Sequence, residues 1–262
     1  MKKLLYIIIL ILSPAICNSG TYGREKGAEK LTVMTYNVHH CNPPAIKGLI
    51  DAGAIADVIR SNNADIVFLQ EIDVRTQRVN GMNQSLELSR LSGLEYSAFF
   101  KAIDILGGEY GVVILSRFPI DSAVVYPLWQ KGESEQRVLG IAVATLPGGR
   151  KIRVACTHLD LSADIREIEI QQIDMILSRG DIPVILGGDF NAKPDSKEIG
   201  LMFSKFVSST KDFVVTFPNI NPDRTIDYIF TRKTDQLRFI SHKVIPAIDA
   251  SDHLPVVAEV EL

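Results

Sequence analysis

Cysteine is scarce in this chain. Cys17, Cys41 and Cys156 are the only three in 262 residues, too few for a disulfide-stapled scaffold, and they offer no thiol-rich metal ligand set. Neither Cys41 nor Cys156 sits in a motif that marks a nucleophile, so both read as buried free thiols. An excess of one charge is lacking too. Lys and Arg number 28 against 31 Asp and Glu, a net charge of −3, so the chain has no global basic footprint for tracking a phosphate backbone, which counts against a tight duplex binder. Internal repeats, low-complexity runs and long linkers rich in Pro, Gly or Ser are missing, which leaves one large domain as the economical reading. The only long apolar run is Leu4 to Leu12, nine residues, and a membrane-spanning helix needs about 20.

That short run is informative for what flanks it. Lys2 and Lys3 precede it, and Ser13, Pro14, Ala15, Ile16 and Cys17 follow, the layout of a secretory signal over residues 1–20 with cleavage near Cys17 to Gly20. The protein is therefore expected to be exported, to the periplasm or the extracellular space. A competing reading makes Cys17 a lipid-modified first residue anchored to the cell envelope, although Ile16 is a poor fit to the small residue such sites carry. A polar segment, 21–30, leads into the domain, 31–262. Removing residues 1–20 takes away two lysines and no acids, leaving 26 basic and 31 acidic residues and a net charge of −5.

Along the domain, segments rich in β-branched and aromatic residues predict strands at 31–38, 66–69, 96–102, 110–115, 121–128, 137–145, 151–157, 182–186, 225–230, 237–245 and 254–260. Helical spacing predicts helices after Asp51, before Leu91, from Ser162 as a cap to Gly180, and over 196–203. Pro147-Gly148-Gly149 predicts a hairpin turn, and Gly187 to Asn191 a turn after a buried strand. Many strands with a few helices between them predict an α+β or α/β sandwich of two packed β-sheets flanked by helices.

Polar residues recur where the apolar strands stop: Asn37, Glu71, His158 with Asp160, Asp189 with Asn191, Asp227, and Asp252 with His253. Each alone reads equally well as a turn former, but together they place chemistry at strand ends, where a rigid scaffold presents it. The blocks Thr35-Tyr36-Asn37-Val38, Gln70-Glu71, Gly111 to Arg117, Thr157-His158-Leu159, Gly188-Asp189-Phe190-Asn191, Ile226-Asp227-Tyr228-Ile229-Phe230 and Ser251-Asp252-His253-Leu254-Pro255-Val256 resemble, in order, those of the endonuclease/exonuclease/phosphatase superfamily. Its members include pancreatic-type DNases, AP endonucleases, bacterial sphingomyelinases and inositol polyphosphate phosphatases. The resemblance spans residues 35 to 256 and implies a four-layer sandwich with a metal site at one edge.

It also implies roles. Glu71 would be the principal ligand of Mg²⁺ or Mn²⁺, with Asn37 beside it and Asp252 contributing, since hard cations take oxygen donors. His253 would act as general acid or base, oriented by Asp227. Asp189 would orient or deprotonate the attacking water, while His158 and Asn191 would donate hydrogen bonds to the phosphoryl group. Arg137 and Tyr110 are the substrate-binding candidates, and Trp129 falls in a rim loop. Arg137 reads equally well as half of a surface ion pair with Glu133 or Glu135.

Two positions past Asn37, where AP-endonuclease-like members resemble one another in an acidic residue, this chain has His39 followed by His40. Thr225-Ile226-Asp227-Tyr228 resembles the nuclease and sphingomyelinase form, not that of the inositol polyphosphate 5-phosphatases. The expectation is an exported, divalent-metal-dependent phosphoesterase, monomeric, acting on a small or lipid-linked phosphate ester. Membrane contact would come through a lipid substrate or a lipidated Cys17. A secreted nuclease acting on DNA or RNA is the alternative, and a binding module without catalysis is a third class. The latter is disfavoured because Glu71, His158, Asp189, Asn191, Asp227 and His253 are all chemically competent. N-terminal sequencing of protein from the native cell should find the first residue within a few positions of Cys17; a cytoplasmic product that keeps residues 1–12 would overturn the export reading.

Overall fold

A strand with apolar side chains on both faces must be covered on both, and the central strands here have that character. The computed structural model describes residues 30–246 and 249–262; the signal, Cys17 and all but the last residue of the polar segment lie outside the described residues. In β2 (Ile66–Val74), Ile66 and Phe68 enter one buried cluster while Val67 and Leu69 enter another. The first sheet contains β1 (Lys30–Asn37), β2, β3 (Tyr96–Ile105), β4 (Gly108–Ser116), β11 (Arg238–Val244) and β12 (Val256–Glu261), in the order β11-β12-β1-β2-β4-β3. The second contains β5 (Ile120–Pro127), β6 (Val138–Thr145), β7 (Lys151–His158), β8 (Val184–Asp189), β9 (Phe206–Ser208) and β10 (Asp227–Arg232), in the order β5-β6-β7-β8-β10-β9.

Four helices cover the outer faces. Asp51 caps α1 (Ala52–Ser61) by accepting from the Ala54 N–H at 2.9 Å, and Asn83 caps α2 (Gln84–Ser92) by accepting from Leu86 at 3.1 Å. These two lie over the first sheet. Over the second lie α3 (Ala163–Leu177) and α4 (Lys197–Lys205), whose cap Ser196 accepts from Ile199 at 3.3 Å. Helices, sheet, sheet and helices form the four-layer sandwich the sequence predicts. Each sheet has one parallel pair, β1 with β2 and β7 with β8, joined through α1 and α3 because parallel strands need a crossover connection.

Several local expectations are corrected. β2 does not stop before Gln70 but runs on to Val74, interrupted by a bulge between Leu69 and Ile72 that contains Glu71 at φ 59°. Gly187 and Gly188, read as turn residues, are inside β8. Their lack of a side chain serves packing: a Cβ on Gly187 would lie 2.2 Å from the Phe68 ring, and one on Gly188 2.3 Å from the Thr157 carbonyl oxygen. β9 was not expected. Ser162 stands at the start of α3 without a side-chain cap bond, and the buried face of that helix includes Arg166 and Glu169 where Ile168 was expected. The reason is polar pairing: Arg166 Nη2 donates to Glu198 Oε1 at 2.6 Å and Glu169 accepts from the Asp160 N–H at 3.0 Å. Cys41 and Cys156 are buried in different clusters and form no disulfide among the described residues.

The two sheets meet by aromatic rings set against glycines. Phe68 of β2 faces Gly187, and Phe100 of β3 faces Gly140 of β6, where a Cβ would lie 2.2 Å from the ring. Both phenylalanines are fully buried, so neither ring has room to retreat. Gly187→Ala and Gly140→Ala should each cost about 1–3 kcal/mol of folding stability through overpacking, measured by urea denaturation. A loss below about 0.5 kcal/mol, the range of neutral surface changes, would show that the contact between the sheets is looser than described.

Candidate active site

Strand polarity gathers the chemistry at one edge. The parallel strands β1, β2, β7 and β8 point the same way within their pairs, with Asn37 opposite Gln70 and His158 opposite Asp189. The antiparallel strands begin where those end: Asp227 of β10 is paired with Asp189, and Val256 of β12 with Thr35. The loop carrying Asp252 and His253 therefore arrives at the same edge. Ser251 Oγ fastens it by donating to the Asn37 carbonyl at 2.7 Å.

Asn37 sits at the centre. Its Oδ1 accepts from the His39 N–H at 3.1 Å, which turns the amide nitrogen toward two carboxylates, Glu71 Oε1 and Asp189 Oδ2, each at 3.1 Å. The first carboxylate belongs to one sheet and the second to the other. Asp189 Oδ1 accepts from the Asn191 N–H at 2.8 Å, and Asn191 takes up φ 49° to reach it. Asp189 Oδ2 lies 3.5 Å from His158 Nε2 and 3.7 Å from His253 Nε2, beyond good hydrogen bonds, so both imidazole nitrogens are available to a substrate.

Behind His253, Asp227 holds the other ring nitrogen at 3.0 Å and itself accepts from Thr216 Oγ1 at 2.6 Å. Burial acts to lower the His253 pKa, but the charges of Asp227 and Asp189 outweigh it and raise the group to about 10. Burial and the Asp227 charge push Asp189 up to about 7, against the pull of His253 and the bonds from Asn191 and Asn37. His158 is held well below its ordinary value, by burial first and Arg137 second, and is neutral. Asp189, Asp227 and His253 offer ligand atoms within 4.8 Å of one another, but Asp227 is already committed to His253 and Thr216. Their arrangement suits proton handling, while Glu71 and Asp252 are carboxylates that line the cleft without an Arg or Lys partner among the described residues.

A cleft of about 490 Å³ opens over this edge, within the usual range of small-ligand sites. Glu71, Tyr110, Arg137, His158, Asp189, Asn191, Asp252 and His253 all line it; Asn37 and Asp227 are buried behind it. Asn191 also donates from Nδ2 to the Leu159 carbonyl at 2.9 Å. Arg137 pairs through Nη1 with Glu135 Oε1 at 2.9 Å, yet its Nε is buried without a partner among the described residues. It is thus an ion pair and a cleft cation at once. Burial and the Glu71 charge raise Tyr110 well above the ordinary phenol range, so it remains a neutral donor. Trp129 is partly exposed and is not part of the cleft lining.

Further residues line the cleft to which the sequence assigns no site role, among them His40, Arg78, Glu135, Phe217 and Arg224. Glu135 carries a signal as an ion-pair candidate for Arg137, and His40 as the second of two histidines after Asn37. The first of the two, His39, turns its ring away to the Asn42 carbonyl at 3.1 Å. His40 is the one that reaches Glu71, at 3.2 Å.

The model of the family described as Endonuclease/Exonuclease/phosphatase matches residues 34–253. YbhP of Escherichia coli, an uncharacterized protein, is 25% identical over 248 residues, covering 88% of this chain and 96% of its own. A solved endonuclease/exonuclease/phosphatase from Beutenbergia cavernae superposes with a TM-score of 0.74 at 25% identity, over 89% of this chain and 72% of that one. A mannosyl-6-phosphatase of Bacteroides thetaiotaomicron superposes with a TM-score of 0.72 at 19% identity, over 88% and 100%.

The raised His253 pKa has a sign that stability can test. A group whose folded pKa exceeds its unfolded value of about 6.5 contributes stability that is full below that value and lost as pH rises through the folded pKa. Urea stability measured in chelator should therefore fall as pH rises from 7 toward about 10, the folded value of His253, and the slope should flatten in His253→Gln. Equal slopes in both proteins would mean that His253 is not held as a cation by Asp227 and Asp189.

Proposed function

The chain belongs to the endonuclease/exonuclease/phosphatase family, and on that premise we propose that it is an exported, divalent-metal-dependent phosphoesterase acting on compact phosphate esters, free or lipid-linked. The observation that carries the reading is the convergence of Glu71, His158, Asp189, Asn191 and His253 on one cleft from segments spread over most of the chain. The donor set fits a hard cation, since Glu71 and Asp252 present carboxylate oxygens to the same space. When bound there, Mg²⁺ or Mn²⁺ would polarise a phosphoryl oxygen and offset its charge.

The remaining work falls to the chain's own side chains. Asp189, pushed up to about 7, is matched to accept a proton from water near neutral pH. His253, kept cationic by Asp227, can hand a proton from Nε2 to the departing oxygen. His158 and Asn191 line the cleft as donors for the phosphoryl oxygens, and Arg137 brings its positive charge to the same wall.

Three features support a compact ester. The cleft of about 490 Å³ suits one head group better than a wrapped duplex. Without residues 1–20 the net charge is −5. The fold is also one on which a relative named mannosyl-6-phosphatase is built.

The test is a panel run with Mg²⁺ and with Mn²⁺ at two salt concentrations: sugar phosphates, nucleotides, phosphoinositides, sphingomyelin, an aryl phosphodiester, single-stranded RNA and duplex DNA. The small or lipid-linked esters should be cleaved best, chelator should abolish turnover, and Asp189→Asn should lower it by roughly 10²-fold or more with folding intact. Efficient, steeply salt-sensitive cutting of duplex DNA with little action on the esters would establish the nuclease reading instead.

A further inference from the structure

His40 is built into the cleft with unusual backbone commitment. His39, His40 and Cys41 all take left-handed φ values, 45°, 54° and 56°, a run that L-residues with side chains avoid. Glu71, the residue His40 meets, is left-handed as well at φ 59°. Strained backbone on both sides of one contact is the pattern of a position held for function. Gln84, fully buried, ties the His40 turn to the end of β2: its Nε2 donates to the His40 carbonyl and its Oε1 accepts from the Asp73 N–H.

The ring is left with an unanswered nitrogen in either neutral tautomer. His40 Nε2 stands 3.2 Å from Glu71 Oε2, while Nδ1 is buried without a hydrogen-bond partner among the described residues, 3.8 Å from Asp73 Oδ1. If Nε2 carries the hydrogen, the Nδ1 lone pair is buried with no donor. If Nδ1 carries it, the Nε2 lone pair confronts a carboxylate. A cation shared by Nε2 and Glu71 removes the second conflict and leaves Nδ1–H on the side of Asp73, 3.8 Å from its Oδ1 and beyond a hydrogen bond, with that carboxylate held by Thr76 Oγ1 and Arg78 Nη2 at 2.7 and 2.8 Å. A ligating histidine usually donates its second ring N–H to a carboxylate, and Asp73 is the carboxylate on that side of the His40 ring, a small shift short of such a bond. Donors on one edge of an octahedral site with bonds near 2.1 Å stand about 3 Å apart, close to the 3.2 Å between Nε2 and Oε2.

We infer that His40 is a ligand of the same divalent ion as Glu71, which makes this a mixed carboxylate and imidazole centre that favours a first-row transition ion such as Mn²⁺ over Mg²⁺. Imidazole nitrogen suits the later first-row ions best, with Mn²⁺ the weakest binder of that series, whereas Mg²⁺ keeps to oxygen ligands and water. The inference rests on the cleft being the metal site proposed above.

The test is Mn²⁺ binding to the purified chain, read by electron paramagnetic resonance, with pulsed measurements for directly bound nitrogen and Mg²⁺ affinity taken by competition. His40→Asn is the variant of choice because Asn tolerates left-handed φ. Wild type should show one coupled imidazole nitrogen. His40→Asn should lose it and bind Mn²⁺ at least about tenfold more weakly, with a smaller change for Mg²⁺. His39→Asn and His158→Asn should keep the coupling. Manganese that needs Glu71 but shows no nitrogen, or a coupling that survives His40→Asn, overturns the inference and leaves the metal site standing. Binding indifferent to Glu71→Gln overturns both.

Discussion

The carboxamide of Asn37 joins the two halves of this molecule at the place where its chemistry occurs. One amide nitrogen serves Glu71 from the first sheet and Asp189 from the second, each at 3.1 Å. The same residue's carbonyl holds the loop that delivers His253. Two carboxylates brought near each other in a buried edge repel and lose hydration, and a donor shared between them offsets part of that cost. Without it, Glu71 and Asp189 would have no common reference, and the cleft would lose the link between its proposed metal side and its proton-handling side.

That link works only if the sheets stand at a fixed separation. Phe68 against Gly187 and Phe100 against Gly140 set it, since a methyl group at either glycine would overlap a fully buried ring. Gly187 lies two residues before Asp189 and Phe68 three before Glu71, so the packing that seats the sheets also seats the two carboxylates. Close-packed interiors transmit small displacements. Stability and site geometry are thereby coupled through the same few residues.

The charged groups are graded by their surroundings. Asp227 is buried and stays with His253 and Thr216, which suits it to orient rather than to ligate. Asp189 is buried between Asp227 and the two imidazoles and is pushed toward neutral pH. Glu71 is the more exposed of the three and faces the cleft. Three carboxylates of similar chemistry thus acquire three roles from burial and neighbours alone.

The sandwich class, the positions of most strands along the chain and the polar residues near their ends were legible in the sequence, because a run of β-branched and aromatic residues and the polar residue that ends it are local properties. Asn37, Glu71, His158, Asp189, Asp227 and His253 could be named for that reason. What the chain could not disclose was long-range. Glu71 in a bulge rather than at a strand end depends on β2 pairing with β4, and the packing duty of Gly187 and Gly188 depends on Phe68 and Thr157, far away in sequence. The choice of His40 over His39 depends on the run of left-handed residues that turns one ring to Glu71 and the other to Asn42. A one-residue difference along the chain decides which way a side chain points, and that direction is fixed only when the sheets close around it.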